Sequence, residues 1–215
     1  MRCGAGRFRG VGDKPTRRDV LRQLALAFTA AGAGAFNLEA ARVVHGLAGE
    51  ARAQPGGYTP QALDAHQYGT VMRLAELIVP ADAGGGNGVD AGAPEFIDLL
   101  CSQNERLLTI YAEGLAWIDE QMRDDHGGTF IEADASQQTG LLDRLVAAER
   151  GDTPRGWRDG VRFFDWIRRM TVDAYYTSPI GIADIGYRGN RALSAYETPA
   201  ETIAFVNRRA DELGL

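Results

Sequence analysis

Lysine is almost missing from this chain of 215 residues: Lys14 is its sole example, and residues 54–215 carry 14 arginines against 25 aspartates and glutamates, a net charge of −11. A surface that acidic repels phosphate backbones and anionic lipid, which disfavours nucleic-acid binding and peripheral membrane attachment and points to proteins or neutral small molecules as partners. Cysteine is scarce too, with Cys3 and Cys101 alone. Past residue 53 only Cys101 remains, so that stretch can form no internal disulfide, and the neighbours Leu99 and Leu100 place its thiol on a buried helix face. The same stretch has two histidines, His66 and His126, too few with one cysteine for a zinc tetrad or a haem attachment motif. Long apolar runs are absent as well: Leu24 to Phe36 is a weakly hydrophobic run, Ala- and Gly-rich, well short of the roughly 20 residues of a membrane span.

What stands around that run has the order of an export signal. Thr16, Arg17, Arg18, Asp19, Val20, Leu21 and Arg22 follow the twin-arginine pattern, with Val20 where Phe is usual. The apolar run fits a signal core, and Ala51-Arg52-Ala53 offers the small residues of a cleavage site in a basic setting. Residues 1–53 are therefore expected to be a twin-arginine export signal, cut after Ala53 and directing the protein to the periplasm. Residues 54–215 are left as one domain with a real core.

Hydrophobic spacing beyond residue 53 is helical. Leu63, His66, Gln67, Val71, Leu74, Leu77 and Ile78 predict a helix over 60–79, with Thr59 as its cap and Pro60 in its first turn. Pro94 and Glu95 restart a helix that runs through Cys101. Leu108, Tyr111, Leu115, Ile118 and Met122 recur every three or four residues over 105–125, a stripe that reads as core. A further helix is expected over the stretch that Asp134 or Ser136 would cap and Gly151 would end. The span 156–176 is apolar around much of its circumference, with Trp157, Val161, Phe163, Phe164, Trp166, Ile167, Met170 and Tyr175, and should sit at the centre of a bundle. A last short helix is expected over 200–213. No stretch alternates as a strand does, so the predicted fold is all-α: a single-domain bundle of five to seven helices with two long ordered loops, one after Pro80 and one after Ser178.

Catalytic patterns are hard to find. Gly4, Gly6 and Gly10 mimic a dinucleotide fingerprint but have no strand before them. The run "GGGNG" at 84–88 lacks the Lys-Ser/Thr of a phosphate loop, Asp119 and Glu120 point apart on a helix, and no serine stands in a nucleophile elbow. Neither a catalytic residue nor a cofactor or metal site is assigned to this chain.

Three stretches in order resemble the gluconate 2-dehydrogenase subunit 3 family: "AELIVPADAGGGNGVDAGAPEFID", "YAEGLAWIDEQMRDDHGGTFIEADASQQTGLLDRL" and "FFDWIRRMTVDAYYTSPIGIADIGYRGN". The family pattern is matched at Val79 to Asp82, Asp90 to Gly92 and Phe96 to Asp98, and again at Thr171, Ala174 to Ser178 and Gly186 to Asn190. The resemblance implies a non-catalytic small subunit that binds, stabilises and co-exports a large FAD-containing dehydrogenase of the glucose-methanol-choline type. Such a partner oxidises a sugar, sugar acid or glycoside and passes electrons to a c-type cytochrome. FAD is then expected on the partner and not on this chain.

Aromatic residues on ordered loops are the natural anchors for such a partner, so Tyr175, Tyr176, Thr177, Ile180, Ile185 and Tyr187 are the expected contact, with the 82–90 loop second. Two other readings compete. A free-standing periplasmic enzyme would use His66, Asp82 and Asp90, and a sugar-binding module would line a pocket with Trp157, Trp166 and Tyr176.

Overall fold

The computed structural model describes residues 38–82, 85–187 and 198–214, so Arg17 and Arg18 lie outside the described residues. Among the described residues there are eight helices and no strand. They are α1 (Leu38–Arg52), α2 (Ala65–Ile78), α3 (Ala93–Cys101), α4 (Glu105–His126), α5 (Ala135–Arg150), α6 (Arg158–Thr177), α7 (Pro179–Asp184) and α8 (Ala200–Leu213). The all-α expectation holds. The two helices not expected are α1, within the stretch read as signal, and α7, within the stretch read as loop.

The chain divides into two compact units, with α1 to α7 in the first and residues from Gly186 onward in the second. In the first, α6 touches α1, α2, α3, α4, α5 and α7. Its centrality follows from composition: Phe163, Phe164, Ile167, Met170, Ala174 and Tyr175 are all buried, so each neighbour finds an apolar face. The stripe of α4 meets it as the spacing predicts, with Tyr111, Leu115, Ile118 and Met122 buried and Tyr111 edge-on to Phe163 at 5.6 Å between ring centroids. Cys101 is a free thiol, buried at the end of α3, and burial pushes its ionisation up.

The start of α2 differs from the sequence expectation, and the cause is local. Asp64 is its cap: the Asp64 carboxylate accepts from Gln67 N at 2.8 Å while Gln67 Oε1 accepts from Asp64 N at 3.0 Å, a reciprocal capping box. Residues 61–63 are held out of the helix because their N–H groups serve another acceptor. Gln61 N donates to Asp98 Oδ2 at 2.7 Å, and Ala62 N and Leu63 N donate to Asp98 Oδ1 at 3.0 and 2.9 Å. Tyr58 Oη donates to the same carboxylate at 2.6 Å. Asp98, on α3, is fully buried, and these four donors satisfy a charge that would otherwise be costly there.

In the second unit α8 has no buried residue, and Ile203, Val206 and Leu213 fall on one face at helical spacing, each about half exposed.

Candidate functional site: the corner between α6 and α7

The sequence "YYTSPIG" builds a corner. Pro179 has no N–H and bars its predecessor from helical geometry, so Ser178 takes an extended conformation (φ −77°, ψ 159°) and α6 ends. Ser178 then starts the next helix. Its hydroxyl donates back to Tyr175 O at 2.7 Å and accepts from Gly181 N at 3.0 Å. Gly181 is required by contact, because a Cβ there would stand 2.1 Å from Tyr175 O. This corner lies where the sequence analysis expected an irregular loop; a helix of six residues is too short to declare a period.

The corner sends its two tyrosines opposite ways. Tyr175 is 3 % exposed and closes the core, its hydroxyl donating to Asp184 Oδ2 at 3.3 Å. Tyr176 is 46 % exposed and stands edge-on to Tyr175 at 5.1 Å between centroids. Ile185, at the end of the same unit, is 56 % exposed. Thr177 and Ile180 are half-buried, and Tyr187, half exposed, falls in the second unit. Of the six expected contact residues, the first unit thus presents Tyr176 and Ile185 outward and keeps Tyr175 within.

Beside the corner α1 supplies a wall that the sequence analysis did not anticipate. His45 Nε2 lies 3.1 Å from Thr177 Oγ1. Because that hydroxyl donates its own proton to Asp173 O at 2.6 Å, the imidazole N–H is the donor to Thr177. The His45 ring lies 4.9 Å from that of Phe96, and burial lowers its pKa to about 4, outweighing a hydrogen bond to the Ala174 backbone carbonyl that favours the cation. Between α1 and the corner is a cavity of about 450 Å³, whose lining includes Arg42, His45, Arg52, Ser178, Ile180 and Ile182.

Asp90, Ala91 and Gly92 close one side. Gly88 N donates to Val79 O at 2.9 Å, and Gly88 leaves no room for a side chain, since a Cβ would meet Ala75 O at 2.5 Å. Asn87 Oδ1 accepts from Val89 N and Asp90 N, and Asp90 Oδ2 accepts from Asn87 N. The Gly-rich stretch is therefore a bonded turn around Asn87 and Asp90, and Gly85 packs against Tyr175 Oη. Arg52 of α1 ties the turn down. Its Nη2 donates to Val89 O at 2.6 Å, while its Nε meets Glu95 Oε1 at 2.6 Å.

The residues of the two competing readings are not brought together. His66 heads α2 and pairs with Asp119 Oδ2 at 2.6 Å, whereas Asp82 and Asp90 follow the other end of α2, roughly 18 Å along the helix axis. Trp157 precedes α6 and stacks edge-on with Trp117, about 28 Å along the helix from Tyr176. Among the described residues no three His, Cys, Asp or Glu side chains cluster as a metal set, and no helix is long and apolar enough to cross a membrane.

The bonded turn and the Asp98 anchor lie in the first of the three stretches singled out in the sequence and the corner in the third, and residues 65–193 match the model of gluconate 2-dehydrogenase subunit 3. The chain belongs to the gluconate 2-dehydrogenase subunit 3 family. No curated protein and no solved structure matches it. The family match begins at the first residue of α2 and so leaves α1 out, although α1 packs into the same core. As a member of a family named for a subunit, the chain is consistent with an accessory component of a dehydrogenase complex. His45 does not figure in the sequence reading, and Arg52 and Asp98 figure there only within the cleavage site and the family pattern, without the roles the structure gives them. The signal for α1 was the spacing of Ala41, Val44 and Ala48, positions i, i+3 and i+7, hidden inside an Ala-rich stretch that also fits a signal peptide.

Proposed function

We propose that this chain is the non-catalytic small subunit of a periplasmic dehydrogenase complex, and that it binds, stabilises and co-exports a large FAD-dependent partner of the glucose-methanol-choline type. The partner oxidises a sugar, sugar acid or glycoside and delivers electrons to a c-type cytochrome. The observation that carries this reading is the match of residues 65–193 to a family named for a dehydrogenase subunit. Two features support it. Tyr176 and Ile185 stand exposed at either end of the corner, and an exposed aromatic is the kind of anchor that dominates interface energies. Arg17 and Arg18 begin a signal of the type that carries folded cargo, and a flavoprotein must take up FAD before it leaves the cytoplasm.

The test is co-expression of the full chain with a flavoprotein of that type from the same genome. A yellow complex should co-purify on a tag carried by this chain, and replacing Tyr176 by Ala together with Ile185 by Asp should lower the flavin recovered at least tenfold. Replacing Arg17 and Arg18 by Lys should leave both chains in the cytoplasm. A flavoprotein that reaches the periplasm regardless of that double change would refute shared export.

A further inference from the structure

We infer that Leu38–Arg52 is a permanent core helix of the folded protein, so that the chain is not cut at the Ala51-Arg52-Ala53 site and any removal of the export signal stops short of Leu38. Three observations converge. First, the inward face of α1 is as buried as any in the molecule: Ala41 and Val44 are fully covered and Ala48 is 3 % exposed, in contact with α3 and α6. Second, Arg52 meets the carboxylate of Glu95, which is buried on α3, and also holds Val89 O. Cutting after Ala53 and losing the helix would leave Glu95 without that cation inside the protein and release the 79–92 turn from its tie. Third, the bond that would be cut is not presented as a substrate. Ala51 and Arg52 are helical, Ala53 N donates to Gly49 O at 3.1 Å, and Gln54 N donates to Ala51 O at 3.3 Å. Ala53 and Gln54 are exposed, so what the site lacks is extension: proteolysis needs an extended strand of backbone, and a hydrogen-bonded turn on the end of a helix must first unwind to offer one.

The twin-arginine reading sharpens the point, and to that extent the inference rests on it: a chain exported folded meets the peptidase with α1 already in place. Retention also makes sense of the cavity beside the corner. Arg42, His45 and Arg52 form its α1 wall, and shedding α1 would remove one side of this space of about 450 Å³ and uncover the faces of α3 and α6 on which α1 packs.

The direct test uses the full chain, tagged at its C-terminus and produced in a host with twin-arginine export. Intact mass and N-terminal sequencing of the exported fraction should give a protein that still contains Leu38–Ala53. An N-terminus at Gln54 overturns the inference. A second arm does not depend on export. In the full chain kept in the cytoplasm, Val44→Asp and Ala48→Asp place a charge on the covered face of α1 and should each lower the melting temperature by about 10 °C or abolish the cooperative transition. Arg52→Met gives a milder fall that remains measurable if the aspartates do not fold. Unchanged melting in all three would show α1 to be dispensable and would overturn the inference, while failure of the export reading would appear separately, as indifference to the Arg17 and Arg18 changes.

Discussion

Gly114 of α4 lies directly beneath the ring of Phe163 of α6, so close that a Cβ at position 114 would stand 2.0 Å from Phe163 Cγ. Two helices can approach so tightly only where one of them has no side chain. Gly160 and Trp117 repeat the relationship in reverse, with the glycine now on α6 and a Cβ there falling 2.3 Å from the indole. Gly114→Ala should therefore destabilise despite its gain in helix propensity, because Phe163 is enclosed and cannot move aside. A loss of about 2 kcal/mol, or about 6 °C in melting temperature, is expected by calorimetry. A variant as stable as the parent would show that the α4–α6 contact is looser than described.

Asp98→Asn should be nearly as costly although it changes one atom. The carboxylate accepts four hydrogen bonds and donates none, whereas an amide must turn an NH₂ toward donors. About 2 kcal/mol should be lost in a urea melt, and the segment 58–63 should become the fastest-exchanging part of the core in hydrogen exchange. Normal protection there would contradict the anchoring role.

His45 predicts a pH dependence with a definite sign. Its folded pKa, about 4, lies below the ordinary value of 6.5, so the unfolded chain binds the proton first. The contribution of the neutral ring is complete above pH 6.5 and is lost as pH falls toward 4, at up to about 1.4 kcal/mol per pH unit. Denaturation midpoints across that window should fall less steeply for His45→Gln than for the parent. Parallel curves would mean that some other group sets the slope.

Adjacent tyrosines should separate stability from association. Tyr175→Ala removes a buried ring and should cost about 3 kcal/mol, while Tyr176→Ala should stay within about 0.5 kcal/mol of the parent in melting and lose partner binding instead. Equal melting losses for both would show that the corner is not divided as its exposures indicate.

Much of this was legible in the sequence where period and bulk agree. The stripes of α4 and α6 span five or more turns, and Tyr111, Leu115, Ile118, Met122, Phe163, Phe164, Ile167, Met170 and Tyr175 are buried as spacing selects, while Leu107 takes the place expected for Leu108 and Trp157, Val161 and Trp166 are half-buried. The start of α2 was misplaced because Thr59 and Pro60 form a good start signal, whereas the winning one, Asp64 with Gln67, depends on Asp98 withdrawing three backbone donors from 35 to 37 residues away. Distance in sequence hid that competition. The corner at Ser178 was half visible: Ser-Pro announces a boundary and Tyr175 continues the stripe of α6, but nothing local announces the short helix that follows or the exposure of Ile185. α1 was concealed by a conflict of readings, since small residues suit both a peptidase and a close helix contact.

The hydrogen bond from His45 to Thr177 spans 132 residues. α1 docks on α3 and α6, and α6 is completed only at Thr177, near the end of the chain. Among the described helices, the one made first is thus the one that must wait longest for its surface, and for it the order of synthesis runs opposite to the order of assembly. A ribosome that stalls before residue 177 releases a chain in which α1 still shows its apolar face, so the state of α1 reports whether the rest has been finished.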